Sequence, residues 1–181
     1  RKEAIYKKTV ELYPNDFRAY NNLGMMAYAN GDLATAENYF KQAASKNANA
    51  AEVNTNLGYI ELVKGNVANA ETYLSKSTGA NTANEALGNL YIKQGQYDRA
   101  VQAFGDTKTN SAALAQILAK DYNKAKNTLN AVKNPDAYTD YLMAIVGART
   151  NNASLVSSSI KSAIAKDPSM AEKAANDREF A

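Results

Sequence analysis

The triplet Asn22-Leu23-Gly24 recurs 34 positions later as Asn56-Leu57-Gly58, and again in shortened form as Ala86-Leu87-Gly88. A period of tens of residues constrains a chain more than any local propensity, because it means that one supersecondary unit has been copied and stacked. A second signal trails each copy. Gly31-Asp32-Leu33-Ala34-Thr35-Ala36 is followed by Gly65-Asn66-Val67-Ala68-Asn69-Ala70, by Gly95-Gln96-Tyr97-Asp98-Arg99-Ala100, and by Lys120-Asp121-Tyr122-Asn123-Lys124-Ala125, where Lys replaces Gly. Each unit reads as a helix, a turn and a second helix.

The residue types fit close packing. A small residue such as Gly24 or Gly58 in the first helix lets the second helix approach, while Gly at the turn supplies a left-handed helix end that other residues adopt at a cost. Ala36, Ala70 and Ala100 do the same from the opposite helix. Tyr39-Phe40, Tyr73-Leu74 and Phe104, at helical spacing, are expected to fill the space between neighbouring units. A single hairpin buries too little apolar surface to stand alone, so the core should run continuously along the stack.

The pattern resembles the tetratricopeptide repeat: an aromatic, Leu-Gly, a turn Gly, Ala, an aromatic, Ala and finally Pro across 34 residues. Residues 17–50 carry it as Tyr20, Leu23, Gly24, Gly31, Ala36, Phe40 and Ala43, with Ala48 where the family has Pro. Residues 137–170 carry only the frame, Ala163 and Pro168. The resemblance implies an all-α chain, a right-handed superhelical solenoid of antiparallel helix hairpins, irregular in its C-terminal half. It divides a single domain, 1–181, into a second helix of a preceding repeat (1–16), repeats at 17–50, 51–80, 81–110, 111–136 and 137–170, and a capping helix at 170–181.

The spacing between turn and next Leu-Gly shortens by four residues between the interval Gly31 to Leu57 and the interval Gly65 to Leu87. Four residues is close to one helical turn of about 3.6, so the apolar face keeps its direction while the helix loses length. The interval Gly95 to Leu114 is shorter still. Brief loops are expected near Thr78-Gly79-Ala80 and Thr107-Lys108-Thr109. Asp167-Pro168 or Ser169 can start a terminal helix, Met170 to Phe180, that seals the end of the core.

Composition narrows the chemistry. The 181 residues are 45% hydrophobic and 22% charged, ordinary globular values. No run approaches the roughly 18 apolar residues of a spanning helix, and Arg1-Lys2-Glu3-Ala4-Ile5-Tyr6 lacks the apolar core of a signal peptide. Because it begins without Met and in a pattern that already reads as helix, the chain is expected to be a piece of a longer protein whose address signals lie elsewhere, which leaves localisation open. With neither Cys nor His, the chain has no thiolate nucleophile, no zinc-thiolate site and no imidazole base. The carboxylate pairs Glu3/Glu11 and Asp136/Asp140 have no flanking pattern that marks them as acid and base, so no enzyme, cofactor or metal is expected.

The net charge of +3 is modest and dispersed. The run Lys7-Lys8 and the cluster Lys120, Lys124, Lys126 read as exposed helix faces, and most of the 12 Tyr recur at repeat positions, so nucleic acid is not the expected partner. Asn152-Ala153-Ser154 matches a glycosylation acceptor, a motif that is frequent by chance.

In the tetratricopeptide family the first helix of each unit lines a concave groove at its second, fifth, ninth, twelfth and thirteenth positions. Carried over, these are Arg18, Asn21, Met25, Tyr28 and Ala29; Glu52, Thr55, Tyr59, Leu62 and Val63; and Thr82, Glu85, Asn89, Ile92 and Lys93. Met25, Tyr28, Tyr59, Leu62 and Ile92 would form an apolar stripe for a peptide or partner helix, rimmed by Arg18, Glu52, Glu85 and Lys93. The alternative for each is packing against the adjacent hairpin, since apolar residues at helical spacing are usually core. A subclass that clamps chaperone C-terminal carboxylates uses Lys and Asn at these positions. Here only Asn89 fits, and Glu85 would repel a carboxylate. The implied role is a scaffold that holds a protein or peptide. The high Asn content and the closing segment are also similar to repeat regions at the ends of larger bacterial envelope proteins, which implies a spacer or assembly module docking on other domains of its own parent, in the periplasm or at the outer membrane.

Overall fold

The computed structural model describes residues 1–77 and 81–181, without the side chain of residue 81. The loop expected at Thr78-Gly79-Ala80 lies outside these residues. Among the described residues the chain is helical throughout, with twelve α-helices and a closing 3-10 turn. It forms two compact units, Arg1–Leu87 and Gly88–Ala181.

The first unit contains α1 (Lys2–Leu12), α2 (Phe17–Ala29), α3 (Leu33–Lys46), α4 (Ala51–Lys64), α5 (Val67–Ser75) and the start of α6 (Asn81–Lys93). Consecutive helices pair as hairpins, α2 with α3 and α4 with α5. Asp16 begins α2 by accepting from the Arg18 N–H at 3.0 Å, and Asp32 begins α3 by accepting from the Thr35 N–H at 3.2 Å. Both satisfy donors that a helix start leaves orphaned. Tyr20, Ala36, Phe40, Ala43, Val53, Leu57 and Ile60 form one buried cluster, so the core runs from one hairpin into the next.

Within that cluster Gly24 is the closest approach. A Cβ built there would sit 2.5 Å from Cε1 of Phe40, a ring that is 1% exposed. Phe40 therefore fills its own hairpin as well as the space towards its neighbour, to which the sequence pattern alone had assigned it.

The second unit continues with the end of α6 and adds α7 (Tyr97–Phe104), α8 (Asn110–Leu118), α9 (Tyr122–Asn130), α10 (Ala137–Arg149), α11 (Ala153–Lys166) and α12 (Met170–Ala175), closed by the 3-10 turn Arg178–Phe180. A separate core of Ala113, Ile117, Ala125, Leu129, Leu142 and Val146 holds α8 to α10 together. The expected shortening is present: α7, α8 and α9 have 8, 9 and 9 residues. The last hairpin recovers full length, with 13 residues in α10 and 14 in α11.

The turn is the feature that repeats most faithfully. Left-handed backbone occurs at Gly31, Gly65, Gly95, Lys120 and Asn151. At each, the following N–H reaches back to the helix: Asp32 to the Ala27 carbonyl, Asn66 to Glu61, Gln96 to Tyr91, Asp121 to Gln116 and Asn152 to Gly147, all between 2.8 and 2.9 Å. This is the six-to-one bond of a helix end closed by a left-handed residue. The terminal segment differs from the single helix expected over Met170 to Phe180. It breaks at Asn176, because the Asp177 carboxylate accepts from the Glu179 N–H at 2.9 Å and starts a new turn.

Candidate functional site

Because α2 and α4 begin in the same register, their equivalent side chains lie on matching faces of the first unit. Met25 and Tyr28 project from α2 and are 51% and 39% exposed. Asn56 and Tyr59 come from α4, and Phe40 reaches up from α3 to form the floor. Together these five line a hollow of about 210 Å³. Gly24 makes the floor: without a Cβ, α2 leaves room for the Phe40 ring beneath it.

Polar groups tie the walls. The Asn56 amide donates to the Asn21 carbonyl oxygen at 2.9 Å, and the Asn21 amide points at the Met25 sulfur at 3.8 Å. The Tyr59 hydroxyl donates to the backbone carbonyl of Thr82 at 3.3 Å. Burial is the main cause of a raised Tyr59 pKa, with the Glu85 carboxylate and the Tyr28 phenol adding to it, so Tyr59 stays a neutral phenol. A half-buried apolar hollow with neutral polar edges suits an apolar side chain carried on a peptide.

The structure distributes the groove positions unevenly. It brings Met25, Tyr28 and Tyr59 together and leaves Leu62 half-buried on α4 outside the lining. Asn21 and Thr55 are 6% and 5% exposed; Thr55 donates its hydroxyl to the Ala51 carbonyl at 2.9 Å. Arg18, Glu52, Ala29 and Val63 are exposed, and Arg18 is paired with Asp16 at 2.7 Å. Glu85 is half-buried and Thr82 exposed, both in the first unit. Asn89, Ile92 and Lys93 belong to the second unit, where Asn89 and Lys93 are exposed and Ile92 half-buried. Phe40 and Asn56 were absent from the sequence-derived set. Both carried a visible signal, the aromatic of the second helix and the Asn of the repeated Asn-Leu-Gly.

Among the described residues no three acidic groups gather as metal ligands, and no helix is long and apolar enough to cross a membrane. An all-helical chain of stacked hairpins, each closed by the same left-handed turn, defines a helical-repeat protein. Three sequence profiles described as tetratricopeptide repeat match residues 5–38, 27–85 and 84–108, and the chain belongs to the tetratricopeptide repeat family.

No curated protein matches it in sequence. Among solved structures, YrrB, described as a TPR protein with an unusual peptide-binding site, is similar over 90% of this chain and 92% of its own, at 18% identity and a TM-score of 0.70. PilF of Pseudomonas aeruginosa is similar over 97% and 84%, at 13% identity and 0.73. PilW, a type IV pilus biogenesis factor, is similar over 98% and 86%, at 19% identity and 0.68. At such identities the likeness is one of fold.

Proposed function

We propose that this chain is a protein-interaction scaffold that holds a peptide segment by seating an apolar side chain in the hollow between α2 and α4, without making or breaking a bond. The observation that carries the reading is the convergence of Met25, Tyr28 and Tyr59 over Phe40, with large apolar side chains left in contact with water. Exposed aromatic and Met side chains around a preformed depression are the composition of interface centres. Glu52 and Glu85 would contribute a rim that favours a basic neighbour in the bound segment. Asn21 and Thr55 act behind it, as packing and as hydrogen-bond support for the walls.

The test is selection of binding peptides from a displayed library against the whole chain, then titration calorimetry with Tyr59→Ala and Met25→Ala. Each change should weaken the selected peptide by roughly 5- to 30-fold, about 1–2 kcal/mol, with helicity retained. Selected peptides that bind both variants as tightly as the parent would remove the hollow from the function.

A second reading, an assembly module within a larger parent, rests on α1. Ile5, Leu12 and Tyr13 are 59%, 62% and 63% exposed on that helix and at its end. If they dock on the parent's other domains, Ile5→Glu with Leu12→Glu abolishes that docking and leaves peptide binding at the hollow intact.

A further inference from the structure

The last hairpin stands in the same register as the first. Its left-handed Asn151 matches Gly31, its helix-starting Asn152 matches Asp32, and its fully buried Ala163 matches Ala43. By that register Tyr138, Tyr141 and Arg149 of α10 occupy the positions held in α2 by Arg18, Asn21 and Ala29, the groove-facing set. In the second unit these positions are engaged by the chain's own closing segment. The Tyr141 hydroxyl donates to the Asp177 carboxylate in a short hydrogen bond, and the Phe180 ring meets the Tyr141 ring edge-on at 5.6 Å. Arg149 donates from Nε to both Glu179 oxygens, at 2.8 and 3.0 Å. Lys173 lies over the rings of both Tyr141 and Tyr138, at 4.7 and 5.5 Å.

Acidic, acidic and aromatic side chains, spaced as Asp-x-Glu-Phe, thus meet one guanidinium, Arg149, and one phenol, Tyr141. The occupant does not use all the surface offered. Beside Glu179 and Phe180 an open hollow of about 410 Å³ runs along the α10–α11 turn, past Gly147, Ala148, Asn151 and Val156. The contacts that hold the segment are side-chain contacts: Arg149 and Glu179 lie at a half-exposed edge, 35% and 26% exposed in their side chains, and Tyr141, 2% exposed, lies covered beneath.

We propose that this face of α10 is a second binding surface, for an acidic-aromatic peptide segment of another protein, and that residues 177–180 occupy it in cis until such a segment displaces them. A partner whose side chains reach the α10–α11 turn gains contacts there that residues 177–180 do not make. An intramolecular occupant competes at an effective concentration in the millimolar range, so the surface stays closed to weak ligands and opens to strong ones. The surface is independent of the hollow between α2 and α4.

The chain contains no Trp, so Phe180→Trp in the full chain provides a sole-tryptophan reporter of the closed state. The probe is a fluorescein-labelled synthetic peptide with the sequence of residues 175–181. The opened full-length variant, Asp177→Asn with Glu179→Gln and Phe180→Ala, should bind it at least roughly tenfold more tightly than the parent chain. Adding Arg149→Ala to the opened variant should remove the binding, and excess unlabelled peptide should red-shift the tryptophan emission of the reporter chain. An opened variant that stays helical and binds nothing at millimolar peptide overturns the proposal and makes the segment a structural cap. Self-association of the opened variant in place of peptide binding overturns it in favour of a second copy. If the opened variant loses its fold, the reporter chain decides: unchanged emission at millimolar peptide overturns the proposal.

Discussion

Replacing Gly24 by Ala isolates the contact on which both the first core and the candidate hollow depend. The added Cβ would lie 2.5 Å from Cε1 and 2.6 Å from Cδ1 of Phe40. Real side chains do not approach so closely, and the ring, 1% exposed, could shift only by giving up its core packing and rising into the hollow whose floor it forms. Overpacking costs about 1–3 kcal/mol, and an approach this close belongs at the upper end of that range, about 2–3 kcal/mol. Against it stands the gain of about 1 kcal/mol from replacing Gly by Ala inside a helix. The steric term wins, and the net loss should be about 1–2 kcal/mol. With about 2–4 °C per kcal/mol for a chain of this length, the melting temperature should fall by roughly 2–8 °C. Thermal and urea unfolding followed by circular dichroism measure this directly. Combining Gly24→Ala with Phe40→Leu supplies the control: the smaller side chain leaves room for the methyl group, so the double variant should lose about 1 kcal/mol less than the sum of the two single losses. A Gly24→Ala chain as stable as the parent, or strict additivity with Phe40→Leu, would refute the close-packing account.

Gly31, with φ of +80°, tests the turn instead, because nothing lies within 4 Å of the position a Cβ would take. Gly31→Ala should cost about 1 kcal/mol from left-handed backbone alone, and Gly31→Asn clearly less, since Asn151 already holds the same conformation in the last turn; equal losses on urea unfolding would contradict this. The closing segment should respond to acid. Hydrogen bonding from Tyr141 holds the Asp177 carboxyl below its ordinary range, with the Glu179 backbone and Lys173 helping, and hydrogen bonding from Arg149 does the same for Glu179, opposed by the nearby Asp177 charge. Carboxylates depressed in the folded state stabilise above their ordinary pKa, and that contribution is lost as pH falls through the depressed value. Acidifying the Phe180→Trp chain should therefore red-shift its emission before far-UV helicity is lost, whereas a single concerted transition would argue that the segment is part of the core.

How far the chain could be read from its residues depended on the range of the interaction involved. Period, hairpin order and turn position were legible, because each rests on residues close in sequence: a helix end, a left-handed Gly and the cap that follows. Lys120 was caught as a replacement for Gly because Asp121 and Ala125 kept the frame. Asn151 was missed because the rest of its motif had drifted, with Ala144 in the place of the packing Gly. The shortening of α7 to α9 followed from spacing alone, and the 34-residue frame at 137–170 rested on Ala163 and Pro168, with nothing near Asn151 to announce the turn between its helices. The site was legible in part. Met25, Tyr28 and Tyr59 stood out as apolar side chains on a predicted partner face, yet their floor, Phe40, belongs to another helix and is fixed by what Gly24 omits. Asn21 meeting Asn56, and Tyr141 meeting Asp177, are pairings set by how helices lie together. In a repeat protein the same register that aligns potential partner-binding residues also places them beside the next turn of chain, so each one is either covered by its neighbour or left for a ligand. Asn21 is covered by α4 and Tyr141 by the closing segment, whereas Met25 and Tyr28 remain open. That difference depends on how far the adjoining chain reaches, and a sequence pattern confined to one repeat does not carry it.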